Sequence, residues 1–279
     1  MSGLPLDIVD VFAQAPLEGN QLAVVHDAAA LTTARMQDIA REMNFSETTF
    51  VLEHSEERAR VRIFTPGAEL PFAGHPTLGT AWVLGRTYGS YILDLKVGPV
   101  EVTFADDGVC WMAPPMPEAT GTLDRADAAA LLNIAIDDLA SEYVPTLMRI
   151  GPEFVFIGVR DASVLAGVGL NAQVRTRLLE AGVPARSVFA FCESTDSTDY
   201  AARMFFDAGG IREDPATGSA NSAFAIYLRD HCGKAPGRYV VAQGDYMQRP
   251  SRIYLNIGKD AYQVGGRVQA VVRGTLATG

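Results

Sequence analysis

Two helices without a charged residue set the plan of this chain. The first follows from Arg62-Ile-Phe-Thr-Pro-Gly-Ala-Glu-Leu-Pro-Phe-Ala-Gly-His-Pro-Thr-Leu-Gly-Thr-Ala-Trp-Val-Leu84, which reads as an alternating strand, a Gly-Ala and a Gly-His-Pro turn, and a helix from about Pro76. A helix that is apolar all round has no face for water and must be buried on every side. Its first turn then presents unpaired backbone N–H groups and the positive end of a dipole to whatever lies in front, a place suited to a carboxylate. The pattern returns in Arg203-Met-Phe-Phe-Asp-Ala-Gly-Gly-Ile-Arg-Glu-Asp-Pro-Ala-Thr-Gly-Ser-Ala-Asn-Ser-Ala-Phe-Ala-Ile-Tyr-Leu228: Arg, apolar residue, Phe, a Gly-bearing turn, a Pro at a helix start and an uncharged helix. Two copies half a chain apart predict two similar halves. If a pseudo-two-fold axis relates them, both helix starts point into one cleft, which is the expected active site.

At 279 residues the chain is long enough for two domains with cores of their own, and 48% hydrophobic residues fit a well-packed soluble protein. A formal charge of −10 without a basic stripe argues against nucleic acid as a partner. The start, Met1-Ser-Gly-Leu-Pro-Leu-Asp, lacks a secretion pattern, and the longest uncharged runs are too short for a membrane span. Cys110, Cys192 and Cys232 lie far apart, with no C-x-x-C and no His at ligand spacing, which predicts a cytoplasmic protein without a structural metal.

In chain order, Leu6 to Phe12 predicts a strand, and the Gly19-Asn20 turn leads to a second over Leu22 to Val25. Thr32 or Thr33 caps a helix whose apolar Met36, Ile39, Ala40 and Met43 fall at helical spacing, with Asn44 as its stop. Strands follow over Phe45 to Leu52, beginning with one carboxylate, and over Val61 to Thr65. After the first buried helix, Tyr91 to Val97, Pro99 to Phe104 and Val109 to Met112 read as strands; Pro114, Pro115 and Pro117 interrupt pairing and mark the domain junction. The expected domains are 1–116 and 117–279. In the second, Asp124 to Ile136 and Ala172 to Ala181 predict helices. Val144 to Ile150, Phe154 to Val159, Ser187 to Glu193, Arg203 to Phe206, Arg238 to Ala242, Arg252 to Ile257 and Tyr262 to Arg273 predict strands.

Three blocks, Asn44-Phe-Ser-Glu-Thr-Thr-Phe50, Leu70-Pro-Phe-Ala-Gly-His-Pro76 and Glu213-Asp-Pro-Ala-Thr-Gly-Ser-Ala220, resemble the signature blocks of the phenazine biosynthesis PhzF-like isomerase family. The Gly19-Asn20 turn and Gln243-Gly-Asp-Tyr-Met-Gln-Arg-Pro-Ser251 extend the resemblance nearly end to end. It implies the diaminopimelate-epimerase-like α+β fold: two pseudo-symmetric domains, each a curled, mostly antiparallel sheet around a central buried helix. It also implies a homodimer and a cofactor-independent isomerase that moves a proton between carbons of a small carboxylated substrate, as in isomerisation of dihydro-hydroxyanthranilate. By its place in the Ser-Glu-Thr block, Glu47 is then the general base and acid. A carboxyl in an apolar cleft suits both roles, with Phe45, Phe50 and Phe72 as candidate walls.

The resemblance casts His75 and Asp214 as polar groups at the two helix starts, and Asn20 and Ser46 as residues that hold Glu47. Thr217, Gly218 and Ser219, with Gly74, would offer N–H groups and a hydroxyl to a substrate carboxylate. Plainer roles exist for each: a solvated strand-end acid for Glu47, a turn cap for His75, an N-cap for Asp214, and close helix packing for the small residues. Two departures stand out. Gln248 replaces the glycine common before Arg-Pro-Ser, and Gly74 and Asp214 stand where diaminopimelate epimerase has its two cysteines, so two-cysteine racemisation is not expected. The alternatives are an epimerase or racemase of another amino-acid-like acid using Asp214 or His75, and a ligand-binding homologue that has lost turnover. Gly167-Val-Gly169 lacks the third glycine of a dinucleotide site, and no G-x-x-x-x-G-K-[ST] or G-x-S-x-G occurs.

Overall fold

The computed structural model describes residues 3–194, 196–207 and 211–277. In the first half the elements are β1 (Leu4–Val11), β2 (Asn20–Val25), α1 (Thr33–Met43), β3 (Glu47–His54), β4 (Arg58–Phe64), β5 (Glu69–Leu70), α2 (Gly74–Gly85), β6 (Ser90–Leu95), β7 (Gly98–Phe104) and β8 (Cys110–Met112). The second continues with β9 (Glu118–Thr122), α3 (Arg125–Leu132), β10 (Thr146–Arg149), β11 (Glu153–Gly158), α4 (Ala162–Gly167), α5 (Ala172–Glu180), β12 (Ser187–Glu193), β13 (Tyr200–Asp207), β14 (Ile211–Asp214) and α6 (Gly218–Asp230). It ends with β15 (Gly237–Gln243), β16 (Ser251–Ile257), β17 (Tyr262–Gly266) and β18 (Val268–Leu276).

Local signals account for most of these. The Thr32 hydroxyl accepts from Arg35 N–H at the start of α1, and Asn44 ends the helix in the left-handed region at φ 53°. Helix α3 stops at Leu132, four residues before the predicted end, because Asn133 turns left-handed at φ 58°. The run from Tyr262 forms two strands, β17 and β18, broken at Arg267. Strand β9 and the short helix α4 lie where the sequence predicts none, and the Gly-bearing turn at 208–210 lies outside the described residues.

Contacts divide the chain into Met1–Pro114 with Val264–Gly279, and Pro115–Gln263. The first unit's break falls after Pro114, inside the proline cluster. The last residues correct the linear division, because β18 pairs antiparallel with β1 from Leu4↔Leu276 to Val11↔Val268 and so belongs to the first unit.

The two units repeat one topology. In the first, β1 pairs antiparallel with β2, β2 runs parallel to β3, β3 antiparallel to β4, β4 antiparallel to β5 and parallel to β6, and β6 antiparallel to β7. In the second, β10, β11, β12, β13, β14, β15 and β16 repeat that series of pairings in the same order and sense. Side chains repeat as well. Arg62 on β4 grips Glu69 on β5 through Nε–Oε1 (2.8 Å) and Nη2–Oε2 (2.9 Å), and Arg203 on β13 grips Glu213 on β14 the same way at 2.9 and 2.7 Å. Each guanidinium also lies over the Phe two residues on, at 5.0 Å from Phe64 and 4.9 Å from Phe205.

These pairs fix how the halves align. Glu69-Leu-Pro-Phe-Ala-Gly74 matches Glu213-Asp-Pro-Ala-Thr-Gly218, and both central helices begin at that final glycine. Pro215 therefore corresponds to Pro71 and not to Pro76. Asp214 is not an N-cap: that position belongs to Thr217, and Asp214 ends β14.

In the first unit the sheet curls round α2, which touches β1, β2, β3, β6, β7, β8 and β18. A Cβ on Gly79 would come within 2.6 Å of Leu22 Cδ2 and 2.7 Å of Val11 Cγ2, so only glycine allows the helix that close. Gly74 through Ala81 are buried, while Trp82, Val83 and Leu84 in the last turn are only half-buried. On the sheet's other face α1 packs Met36, Ile39 and Ala40 on Leu6, Ala23, Val25, Phe50 and Phe64. In the second unit α6 is buried from Ala220 to Leu228, with Phe224 and Tyr227 packed against Phe156, Phe191 and Tyr200. Truncating such a ring to alanine costs about 3–5 kcal/mol. Helices α3, α4 and α5 supply Leu131, Leu132, Leu165 and Leu178 to a separate cluster with Val155, Ile157, Val188 and Ala190. No helix among the described residues is long and apolar enough to cross a membrane.

Candidate active site

Side chains alternate along β3, so Glu47 and Thr49 face α2 while Thr48 and Phe50 face α1. The Thr49 and Thr80 hydroxyls, both fully buried, bond at 2.8 Å and tie this strand to the helix. The same face brings Glu47 to the start of α2, where its Oε2 lies 3.4 Å from His75 Nδ1. Strand β2 carries Asn20 in at the same end: Leu22 is opposite Glu47 in the parallel register, and Asn20, 2% exposed, is two residues earlier. Ser46, half-buried, precedes Glu47. The first-unit candidates thus gather at one end of β2, β3 and α2.

The expected aromatic walls are corrected. Phe50 packs edge-on to Phe64 in the α1 core, on the opposite face from Glu47, and Phe45 borders the same core. Phe72, buried just before α2, is the remaining candidate.

His75 is 4% exposed, and burial pushes its pKa down to about 3 against a weaker opposing contact with the Gln21 backbone. The imidazole is therefore neutral at physiological pH and does not tie Glu47 into an ion pair. Its Nε2 is buried and completes no hydrogen bond among the described residues.

In the second unit Asp214 is 6% exposed, and its Oδ2 accepts the Thr217 hydroxyl at 2.6 Å. Gln243, 1% exposed at the end of β15, donates from Nε2 to the Asp214 carbonyl (2.8 Å) and to Thr217 Oγ1 (3.1 Å). Its Oε1 accepts from Thr217 N–H (3.3 Å) and from Asn221 Nδ2 (3.0 Å). This modifies one expectation: the Thr217 N–H and hydroxyl are both engaged within the protein, leaving Gly218 and Ser219 as the donors of the first turn. Gly244, at φ 80°, completes the arrangement, since a Cβ there would meet the Pro215 carbonyl at 2.6 Å. Gln243 and Asn221 are the functional candidates that sequence reading missed. The available signal was Asn221, an amide inside an otherwise apolar helix; Gln243, alone at a strand end, carried none.

The helix starts share a further property. The outer helices α1, α3, α4 and α5 are capped by the side chains of Thr32, Asp124, Asp161 and Asn171. Ala73 and Thr217 make no side-chain cap bond at α2 and α6. The buried helices are thus the uncapped ones, and the first turn of such a helix is a general place for an anion. Cys110 in β8 and Cys192 in β12 are buried, with thiols pushed up to about 12 and about 11 by desolvation, and neither stands at a helix start. No group of three or more His, Cys, Asp or Glu among the described residues is placed to hold a metal ion.

The model of the family described as phenazine biosynthesis-like protein matches residues 9–274. A trans-2,3-dihydro-3-hydroxyanthranilate isomerase from Pseudomonas aeruginosa is 37% identical over 272 residues, covering 95% of this chain and 92% of that protein. A Bacillus anthracis phenazine biosynthesis protein of the PhzF family aligns with TM-score 0.86 at 25% identity, over 99% of this chain and 100% of that one. A hydroxyproline epimerase from Agrobacterium vitis shares the fold at TM-score 0.61 and 12% identity, over 98% of this chain and 92% of the other.

Proposed function

The chain belongs to the phenazine biosynthesis-like family and is an isomerase, and from that premise we propose that Glu47 moves a proton between carbons of a small unsaturated amino acid. The supporting observation is Glu47 Oε2 at 3.4 Å from a buried, neutral His75 at the uncapped start of α2. Glu47 takes a proton from an sp3 carbon, the electron pair shifts through the adjacent double bond, and the same carboxylic acid returns the proton to the far carbon. One group suffices because the steps are sequential. No external oxidant or reductant enters, since substrate and product are isomers.

The remaining roles follow from chemistry. The first-turn N–H groups at the α2 start (Gly74, His75), beside Glu47, suit the substrate carboxylate and the negative charge delocalised toward it after deprotonation. His75, neutral, donates to or accepts from the reacting group without competing for Glu47 as a cation. Asn20 and Ser46 hold the entry to β3, and Asp214 meets a polar substituent. Trans-2,3-dihydro-3-hydroxyanthranilate, on which the Pseudomonas aeruginosa relative acts, has the required carboxylate, amino group and conjugated double bonds. The test is incubation of the protein in heavy water with that compound and a panel of unsaturated and saturated amino acids, followed by NMR. Deuterium at a carbon that gains hydrogen as a double bond moves supports the reading. Loss of optical activity with deuterium at an unmoved stereocentre would replace it with epimerisation.

A further inference from the structure

We propose that Gln243 is a positioning residue that fixes the direction of a buried hydrogen-bond chain, Gln243 to Thr217 to Asp214, so that Asp214 meets its ligand as an acceptor. The inference rests on the proposed substrate role of Asp214 and adds to it the cause of its polarity.

Each link is decided by a group whose role cannot change. The Asp214 carbonyl can only accept, so the Gln243 atom 2.8 Å from it must be the amide nitrogen. The Thr217 backbone N–H can only donate, so the atom facing it at 3.3 Å must be the amide oxygen. The amide orientation is thereby pinned from both ends. Its nitrogen also lies 3.1 Å from Thr217 Oγ1 and has only protons to offer, so that oxygen accepts. The Thr217 proton is then sent to Asp214 Oδ2 at 2.6 Å. The carboxylate receives that proton and is set to accept again from an ammonium, amine or hydroxyl group of a ligand.

The first unit provides an internal control. By the Glu-x-Pro-x-x-Gly alignment, Asp214 corresponds to Leu70 and Thr217 to Ala73. Strand β6 runs parallel to β4 with Arg60 opposite Asp94, and β15 runs parallel to β13 with Ala202 opposite Gln243; since Arg62 matches Arg203, one further step places Leu95 at the position of Gln243. The same backbone is therefore built elsewhere in this chain with Leu, Ala and Leu. The fold does not require the chain, and burying a polar amide beside an apolar helix is unfavourable unless every bond is made. The groups hydrogen-bonded to the Gln243 side chain are Asp214, Thr217 and Asn221, and of these residues only Asp214 titrates.

The test is Gln243→Glu, which replaces the nitrogen by an oxygen facing two acceptors. Ionised, it draws the Thr217 hydroxyl proton to itself and reverses the chain; protonated, it donates again. Deuterium incorporation into trans-2,3-dihydro-3-hydroxyanthranilate, taken as a variant-to-wild-type ratio, is expected to fall roughly 10- to 100-fold at pH 8 and to recover as the pH drops to 5.5. Gln243→Met and Thr217→Val should lose activity at both pH values. A folded Gln243→Glu protein with a flat ratio, or a Gln243→Met protein with wild-type rate, overturns the proposal. If wild-type protein exchanges none of the compounds, the activity reading falls separately. The chain is then decided by NMR of 15N-labelled protein: the Gln243 side-chain protons should be protected from solvent, and a Thr217 hydroxyl proton should be visible in wild type and shifted in Gln243→Glu at pH 8. An unprotected Gln243 amide refutes it.

Discussion

The duplicated Arg–Glu clamps differ in burial, and that difference predicts unequal costs for the same substitution. Arg203 and Glu213 are 13% and 15% exposed, and Arg203 Nη1 also donates to the carbonyls of Leu165 (3.3 Å), Ala166 (3.1 Å) and Val168 (3.0 Å), the C-terminal end of α4, where a cation is favoured. Arg62 and Glu69 are 25% and 22% exposed, and Arg62 Nη1 reaches only the Thr33 hydroxyl (3.0 Å) and Met36 Sδ (3.5 Å). Removing one partner from a buried pair strands the other charge and costs about 3–5 kcal/mol, whereas a more solvated pair costs about 1–2 kcal/mol once screening is allowed for. Arg203→Met should therefore lie in the first range and Arg62→Met in the second, measured as urea midpoints by circular dichroism. Adding Glu213→Gln to Arg203→Met should recover part of the loss, because no buried charge is then left alone. Equal costs at the two sites, a cost below about 1 kcal/mol for Arg203→Met, or strict additivity in the double variant would show that burial does not set the cost of breaking these pairs.

Acid should destabilise the protein through His75. Its folded pKa of about 3 lies below the unfolded value of 6.5, so the unfolded chain binds the proton first; the contribution is complete above pH 6.5 and is lost on the way to pH 3, at about 1.4 kcal/mol per pH unit. His75→Gln should lose that slope between pH 6.5 and 5 in urea titrations, and an unchanged slope would contradict the buried neutral imidazole. Gln248 occupies the left-handed region at φ 58°, so Gln248→Gly should raise stability by about 0.5–1 kcal/mol, and a clear loss in thermal or urea unfolding would count against strain at that turn.

Much of this was legible in the sequence, for reasons visible in particular residues. The apolar stretches of the two central helices, the repeated Arg-x-Phe and the Thr32 and Asn44 caps are local signals and appear in place, although α6 runs on past Leu228 to the charged Arg229 and Asp230. The alignment of the halves was misread because Pro76 and Pro215 look alike in sequence, while the true marker, the glutamate gripping the strand arginine, is recognisable only once β4–β5 and β13–β14 are paired. Strand β9 is exposed throughout and carries no apolar alternation, so nothing in Glu118-Ala-Thr-Gly-Thr122 announces it. The return of β18 to β1 joins residues at opposite ends of the chain, beyond any periodicity. At the site, Glu47 and His75 were readable from motif blocks and do meet. Gln243 was not, because a lone glutamine at a strand end has no signature until its four partner atoms are in position.

Whether one carboxylate carries the proton is decided by deuterium exchange into trans-2,3-dihydro-3-hydroxyanthranilate by wild-type and Glu47→Gln protein, alongside binding of its aromatic analogue 3-hydroxyanthranilate by calorimetry. Glu47→Gln is expected to fold, to bind the analogue nearly as wild type does, and to exchange no deuterium. A Glu47→Gln protein that still exchanges deuterium at the wild-type rate would contradict the role of Glu47.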